Sequence, residues 1–145
     1  MTATILIKGR GIRDERIAGG TIIPGQLVAQ NSSGNWIVHP TIGAAANVGP
    51  AGRVFAVEDD NFGRGIDDSY VVNDFVQAEW MTSGCQIYAL VSAAAAAIVK
   101  GDYLMSAGNG NLAKAVAGAY IVAIANEAVD NSGGGANARI RVIVI

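Results

Sequence analysis

The sequence is poor in the residue types on which most enzyme sites depend. Its one cysteine, Cys85, makes an intrachain disulfide impossible, and the chain needs no oxidising compartment. Its one histidine, His39, would have to serve any Ser-His-Asp or Cys-His mechanism. One histidine and one cysteine cannot complete a tetrahedral zinc site. The composition therefore argues against nucleophilic and zinc catalysis.

Phosphate-binding loops and membrane-spanning runs are also missing. No G-x-G sequence has the third glycine of a dinucleotide loop, and no G-x-x-x-x-G-K occurs. The longest nearly apolar stretch, 87–99, is shorter than the roughly 18 residues of a membrane span, and the first residues do not form a secretory signal. A net charge of −2, from 10 basic and 12 acidic residues, gives no general attraction to nucleic acid or anionic membrane. We expect neither partner and no cofactor.

Turns and short apolar alternations dominate the sequence that remains. The pattern predicts one hairpin over 26–39, around Asn31-Ser32-Ser33-Gly34, and a second over 102–115, around an Asn-Gly turn. A C-terminal strand is predicted at 139–145, and its end, 142–145, is apolar on both faces, which predicts a central position or cover by another subunit. The whole pattern predicts an all-β barrel or sandwich of about nine short antiparallel strands. At most one short helix is expected, at Ala93–Ala97.

The first 20 residues differ from the rest of the chain. They carry four of the ten basic residues and four glycines, which favours an extended N-terminal arm over 1–20 joined to a single β domain over 21–145. The alternative is that residues 4–8 are simply the first strand. An arm could add a strand to an exposed sheet edge. Its predicted partner-binding residues are Ile5, Leu6, Ile7, Arg10, Arg13 and Arg16.

An acidic loop follows the strand predicted at 53–58. It resembles a calcium loop only in part, because the third alternate ligand is missing and Tyr70 takes the place of the final glutamate. Its carboxylates can also cap turns and bond to the loop backbone. We predict a shaped acidic contact loop that pairs with basic arms of a neighbour. Its candidate partner-binding residues are Glu58, Asp59, Asp60, Arg64, Asp67 and Asp68.

Several segments together resemble a known protein family. They are the runs 53–60 and 63–70, Gly101-Asp102-Tyr103-Leu104, 108–112 and the end 139–142. From about residue 23 to residue 145, the chain looks like the capsid decoration proteins of tailed bacteriophages, also called structural cement proteins. The resemblance implies a non-enzymatic virion protein, made in the host cytoplasm, that binds the outer face of the assembled shell. Its implied partners are the major capsid protein and copies of itself, as a trimer in preference to a dimer.

Two other functions remain open from the sequence. An adhesion or carbohydrate-binding β module would be favoured if Trp36 or Trp80 were exposed in a groove, but their alternating patterns predict that both are core residues. A small oligomeric metal-dependent enzyme is the third possibility. No catalytic residue and no metal ligand is predicted, and we expect no enzymatic activity.

Overall fold

The computed structural model describes residues 4–45 and 52–145, which form eleven β-strands and one single-turn 3₁₀ helix at Asp60–Phe62. The strands are β1 (Leu6–Lys8), β2 (Gly11–Ile17), β3 (Val28–Gln30), β4 (Trp36–Val38), β5 (Val54–Ala56), β6 (Phe75–Met81), β7 (Gln86–Val91), β8 (Tyr103–Ser106), β9 (Leu112–Lys114), β10 (Ala123–Ala125) and β11 (Ala138–Val144). The prediction of an all-β fold is confirmed. None of the described helical segments is long enough or apolar enough to cross a membrane.

Five strands close into a barrel in the order β7, β11, β10, β8 and β9. The barrel closes where β9 returns parallel to β7 and Leu112 pairs with Val91. The predicted alternation in β7 is confirmed, because Ile87, Ala89 and Val91 all point into the core and are fully buried. Because β9 pairs with β8 on one side and with β7 on the other, the five-stranded ring has no open edge. The inward-facing apolar side chains of the five strands are buried inside it.

The predicted hairpins and the central position of the last strand are confirmed. β3 pairs antiparallel with β4, and β8 pairs antiparallel with β9. β11 lies between β7 and β10, so both of its edges are hydrogen-bonded. The central position keeps the apolar end of β11 from forming an open edge that could pair with other chains.

A smaller sheet in the order β2, β6, β5 packs beside the barrel and separates two cores. Side chains alternate along the β5 segment, as the sequence predicts. Phe55 and Val57 enter the barrel core, whereas Val54 and Ala56 enter a second core with Trp36 of the hairpin β3–β4. The chain that leaves this strand at residue 57 therefore emerges between two packed layers, and the acidic loop is anchored there.

The prediction of an N-terminal arm outside the core is wrong for the described residues of that segment; residues 1–3 lie outside them. β1 pairs with β7, and all seven residues of β2 pair with β6. Ile5 is fully buried in the barrel core, and Ala18 is buried in the second core. The alternative of a first strand within 4–8 is the correct one. A short basic strand can be mistaken for an arm because it has few apolar residues. The strands with which it pairs are also far away in the sequence, so no local pattern reveals the pairing.

Two further local predictions are wrong. Ala93–Ala97 forms a turn rather than a helix, with Ala94 at a φ of 56°. Five alanines favour helix by propensity, but a run this short nucleates poorly and tertiary pairing on both sides decides its conformation. In β6, the alternation of Val76, Ala78 and Trp80 with Gln77 and Glu79 predicts that the two polar residues face away from the core, yet both are buried. Both faces of β6 are covered, which a period of two cannot reveal.

Candidate functional site

The acidic loop runs from Glu58, just after β5, to Asp68 and has a defined backbone structure. Its 3₁₀ turn ends at Gly63, whose left-handed conformation at a φ of 70° lets its N–H donate to the Asp60 carbonyl at 3.2 Å. The Asp59 carbonyl accepts the N–H groups of Phe62 at 3.3 Å and Arg64 at 3.0 Å. Hydrogen bonds within the loop therefore define its backbone conformation without a contribution from a partner.

The two sets of residues predicted to bind partners meet each other within one chain. Glu58 accepts hydrogen bonds from the Thr4 hydroxyl and, at 3.0 Å, from the backbone N–H of Ile5. Arg13 of β2 lies 3.4 Å from the Asp60 carboxylate and 3.7 Å from that of Glu79. The predicted attraction between basic arm and acidic loop thus exists as intrachain contacts.

The remaining residues of the predicted arm have different surroundings. Leu6 and Ile7 are half-buried and Arg10 is exposed, while its carbonyl accepts the Thr82 hydroxyl at 3.0 Å. Arg16 forms an ion pair with Asp14 at 3.1 Å. The predicted arm residues consequently do not form one surface.

At the C-terminal end of the loop, one carboxylate bonds to the loop backbone and the other to a side chain of β11. Asp68 accepts the Gly65 N–H at 2.6 Å, and Asp67 lies 3.5 Å from the guanidinium of Arg139. Arg139 also donates to the carbonyls of Pro24 at 2.8 Å and Ile66 at 3.0 Å. Burial lowers the pKa of Arg139, and the nearby Asp67 opposes that shift. These contacts support a structural role for this half of the loop.

The N-terminal half of the loop borders an open cleft of about 250 Å³, which we call the acidic cleft. Its lining residues are Asp59, Phe62, Arg64, Asn73, Asp74 and Phe75. Arg64 pairs with Asp74 at 3.3 Å, and the Asp74 carboxylate also accepts the Val71 N–H at 2.9 Å. That backbone hydrogen bond, together with Arg64, lowers the pKa of Asp74.

Asp59 differs from every other carboxylate of the loop. It is only 6 % exposed, and its Oδ1 is a buried oxygen with no hydrogen-bond partner in the described part of the chain. Tyr70 lies behind it: its hydroxyl donates to the Val57 carbonyl at 2.6 Å, and burial raises the pKa of this phenol, with a smaller contribution from Asp59. The acidic cleft therefore contains a carboxylate that the protein itself leaves unsatisfied.

Large apolar side chains surround the acidic cleft and remain exposed to solvent. Phe62 is 82 % exposed and Phe75 is 60 % exposed, and both line the cleft. Ile17, also exposed, pairs across the sheet with Phe75. Val71 and Val72, both more than half exposed, lie in the turn that leads into β6. Large exposed apolar groups in one region of a surface mark interaction sites more often than single scattered ones do.

A second cleft of about 300 Å³ lies between the β3–β4 hairpin and β6. Trp36 is buried there as predicted, but the prediction that Trp80 is a core residue is wrong, because it is 42 % exposed. The two rings lie 6.3 Å apart at a tilt of 59°. Both indole N–H groups donate to Asp14. The Trp36 indole donates to the Asp14 backbone carbonyl at 3.0 Å, and the Trp80 indole donates to the Asp14 carboxylate at 3.3 Å. Arg16 stacks over Trp36 at 5.1 Å from the ring centroid.

His39, the one histidine of the chain, contacts a buried serine. His39 Nδ1 lies 3.2 Å from the Ser106 hydroxyl, but Ser106 is 1 % exposed and cannot meet a substrate. Burial lowers the pKa of His39. No group of three or more His, Cys, Asp or Glu residues is placed to hold a metal ion among residues 4–45 and 52–145.

Comparison of the sequence with protein-family models and with curated proteins finds no match. Of the residues around the acidic cleft, the sequence pointed to Asp59, Asp60 and Arg64 but missed Phe62, Phe75 and Asp74. The sequence did contain a clue to the two phenylalanines. Each lies next to charged residues and not inside an alternating apolar pattern, which is unusual for a core residue.

Proposed function

We propose that this protein is a capsid decoration protein of a tailed bacteriophage. It binds the outer surface of the assembled shell and stabilises contacts between major capsid subunits, and it catalyses no reaction. The proposal rests on the resemblance of the segments quoted above together with one structural observation. That observation is the set of exposed apolar side chains around the acidic cleft, led by Phe62 and Phe75.

An exposed Phe has a physical cost that a partner would remove. Each aromatic ring buried at an interface contributes a large apolar area, and aromatic residues are enriched at the centres of interfaces. The surrounding carboxylates add charge selectivity without adding much affinity. Many copies on a repeating shell, or a trimer that binds through three such surfaces, would turn a modest single contact into stable attachment.

Sedimentation with capsids tests this function. The protein should co-sediment with assembled shells and not with free major capsid subunits. The double substitution Phe62→Ser with Phe75→Ser should abolish co-sedimentation while the far-UV spectrum stays unchanged. A control substitution of Val99→Ser with Val116→Ser, two residues of similar exposure on barrel connections, should leave it intact. Equal binding by both double variants would refute the surface, and failure of the unmodified protein to bind shells would refute the function.

The exposure of Trp80 supports a second candidate, a carbohydrate-binding virion module. An indole face beside a cleft of about 300 Å³ can stack on a sugar ring, and Gln30 and His39 line the same cleft with polar groups. Titration of a panel of bacterial surface oligosaccharides, followed by tryptophan fluorescence, tests this function. Quenching that is lost in Trp80→Ala and kept in Phe75→Ala supports it, and an unchanged spectrum across the panel removes it.

A further inference from the structure

We propose that the acidic cleft receives one lysine side chain from the partner polypeptide, with the ammonium group at Asp59 and the aliphatic stem between Phe62 and Phe75. This inference rests on the proposed function, because it names the chemistry by which that partner is recognised. Three independent features of the cleft carry it: an unsatisfied carboxylate oxygen, an excess of negative charge, and aromatic walls.

The first feature is a carboxylate oxygen of Asp59 that lacks a hydrogen-bond donor among the described residues. Asp59 Oδ1 is buried without a hydrogen-bond partner in the described part of the chain, although its residue lines an open cleft. Leaving a buried carboxylate oxygen unpaired is unfavourable, and native proteins nearly always supply a donor. The described neighbours are already committed elsewhere: Arg64 pairs with Asp74, and the Tyr70 hydroxyl donates to Val57. The described residues therefore supply no donor for this oxygen, and an ammonium group that reaches the Asp59 carboxylate from the cleft would supply one.

Charge determines what kind of donor fits. The cleft is lined by the two carboxylates of Asp59 and Asp74 and the one guanidinium of Arg64, which leaves one negative charge. A cation compensates it, whereas a neutral donor would not. A bare hard cation such as Ca²⁺ needs six or more oxygen ligands, and Asp74 is held by Arg64 and by the Val71 N–H.

The walls distinguish an organic cation from a metal ion. Phe62 and Phe75 are both exposed and line the cleft, so their rings can cover an aliphatic stem and attract a cation through their faces. The charge to be matched is the single carboxylate of Asp59, because Asp74 is already paired with Arg64. A single carboxylate between two rings favours the compact ammonium and unbranched stem of lysine over the fork-shaped guanidinium of arginine.

A direct test uses peptides and does not require the capsid. The blocked tripeptide Ac-Gly-Lys-Gly-NH2 is titrated into the ¹⁵N-labelled full chain, and the backbone resonances of Asp59, Arg64 and Asn73 are followed by NMR. These resonances should shift with a saturating dependence. Ac-Gly-Nle-Gly-NH2, which keeps the stem and lacks the charge, should cause no saturating shift, and the arginine peptide should bind several-fold more weakly. Equal shifts with the norleucine peptide would overturn the proposal.

Variants locate the contact. Asp59→Asn should weaken lysine-peptide binding at least about tenfold, because the charge-assisted hydrogen bond is lost. The matched control is Asp67→Asn in the same loop, a side chain that is 90 % exposed and outside the cleft, and it should change binding less than about twofold. Phe62→Leu, which alters only an exposed wall, should weaken binding several-fold and serves if Asp59→Asn fails to fold. Equal weakening by Asp59→Asn and Asp67→Asn would mean general electrostatic attraction and would overturn the proposal.

The same variants separate this inference from the proposed function. If shells bind the unmodified protein and Asp59→Asn equally well, the lysine site fails and the decoration function stands. If the lysine peptide binds in the cleft but shells do not bind the protein, the decoration function fails and the site stands. Calcium chloride at micromolar concentration that reproduces the same resonance shifts would assign the cleft to a metal ion and would refute the lysine site.

Discussion

The Glu58 carboxylate accepts the backbone N–H of Ile5 at 3.0 Å, across more than fifty residues of sequence. The first residue of the acidic loop therefore fixes the start of β1. Because Ile5 is fully buried in the barrel core, this hydrogen bond couples the conformation of the loop to the packing of the N-terminal segment.

Loss of this contact should loosen the N-terminal segment. We expect Glu58→Ala to lower the free energy of unfolding by about 1–3 kcal/mol, the usual range for hydrogen bonds to a charged group. Hydrogen exchange of the Ile5 amide should accelerate more than exchange of amides in β11. Asp60→Ala is the control, since its exposed ion pair with Arg13 should contribute less than about 1 kcal/mol. Unchanged exchange at Ile5 in Glu58→Ala would contradict the coupling.

The N-terminal segment should be required for folding. Ile5→Ala should cost about 2–5 kcal/mol, because it removes a fully buried side chain and leaves a cavity in the barrel core. Ile7→Ala, at a half-buried position two residues later in β1, should cost clearly less. Urea denaturation of both variants measures the difference. Equally small losses of unfolding free energy in the two variants would contradict this prediction and would support a detachable arm.

Arg139 should be sensitive to a substitution that keeps its charge. Its guanidinium bonds to the carbonyls of Pro24 and Ile66 and to Asp67, which joins β11 to two loops. Lysine cannot reproduce this forked geometry, so Arg139→Lys should cost about 1.5–3 kcal/mol in a chemical denaturation experiment. Arg141→Lys, two residues along the same strand and more exposed, should cost less than about 1 kcal/mol. The reverse order of the two losses would contradict this role.

Acidification should destabilise the fold through His39. Burial lowers the pKa of this imidazole below its ordinary value near 6.5, and the hydrogen bond with the Thr41 N–H opposes that shift only in part. The unfolded chain then binds the proton more readily than the folded one. The contribution to stability is therefore complete above about pH 6.5 and is lost as the pH falls toward the folded pKa.

Melting temperatures at pH 7.5 and pH 5.0 measure this effect. The unmodified protein should lose more melting temperature between the two values than His39→Gln does. The carboxylates whose pKa values are lowered, Asp74, Asp102 and Asp130, act only at pH values below about 4 and do not interfere. A parallel loss in the two proteins would exclude His39 as the cause.

Local patterns in the sequence were sufficient to predict the two hairpins and the buried face of β7. The Asn-Gly turn and the alternation of β7 each depend on neighbouring residues, and both hairpins formed as expected. The alternation in β6 correctly placed Val76 and Ala78 in the core. It could not show that the opposite face, with Gln77 and Glu79, is covered as well. Their partners are on the neighbouring strand β2, which is distant in sequence: Arg13 pairs with Glu79, and Glu15 accepts a hydrogen bond from Gln77.

The all-β class, the two hairpins and the central place of the last strand could be predicted from the sequence, because period-two patterns and turn residues act over a few positions. The place of the N-terminal segment in the sheets and the exposure of Trp80 follow from long-range packing. The same packing leaves Asp59 as the one loop carboxylate with a buried oxygen that no described residue satisfies. These outcomes depend on which distant strands pair and on what each pairing covers. A carboxylate that bonds to a turn and one that lies unsatisfied in a cleft are the same residue in sequence and differ only in their neighbours in space.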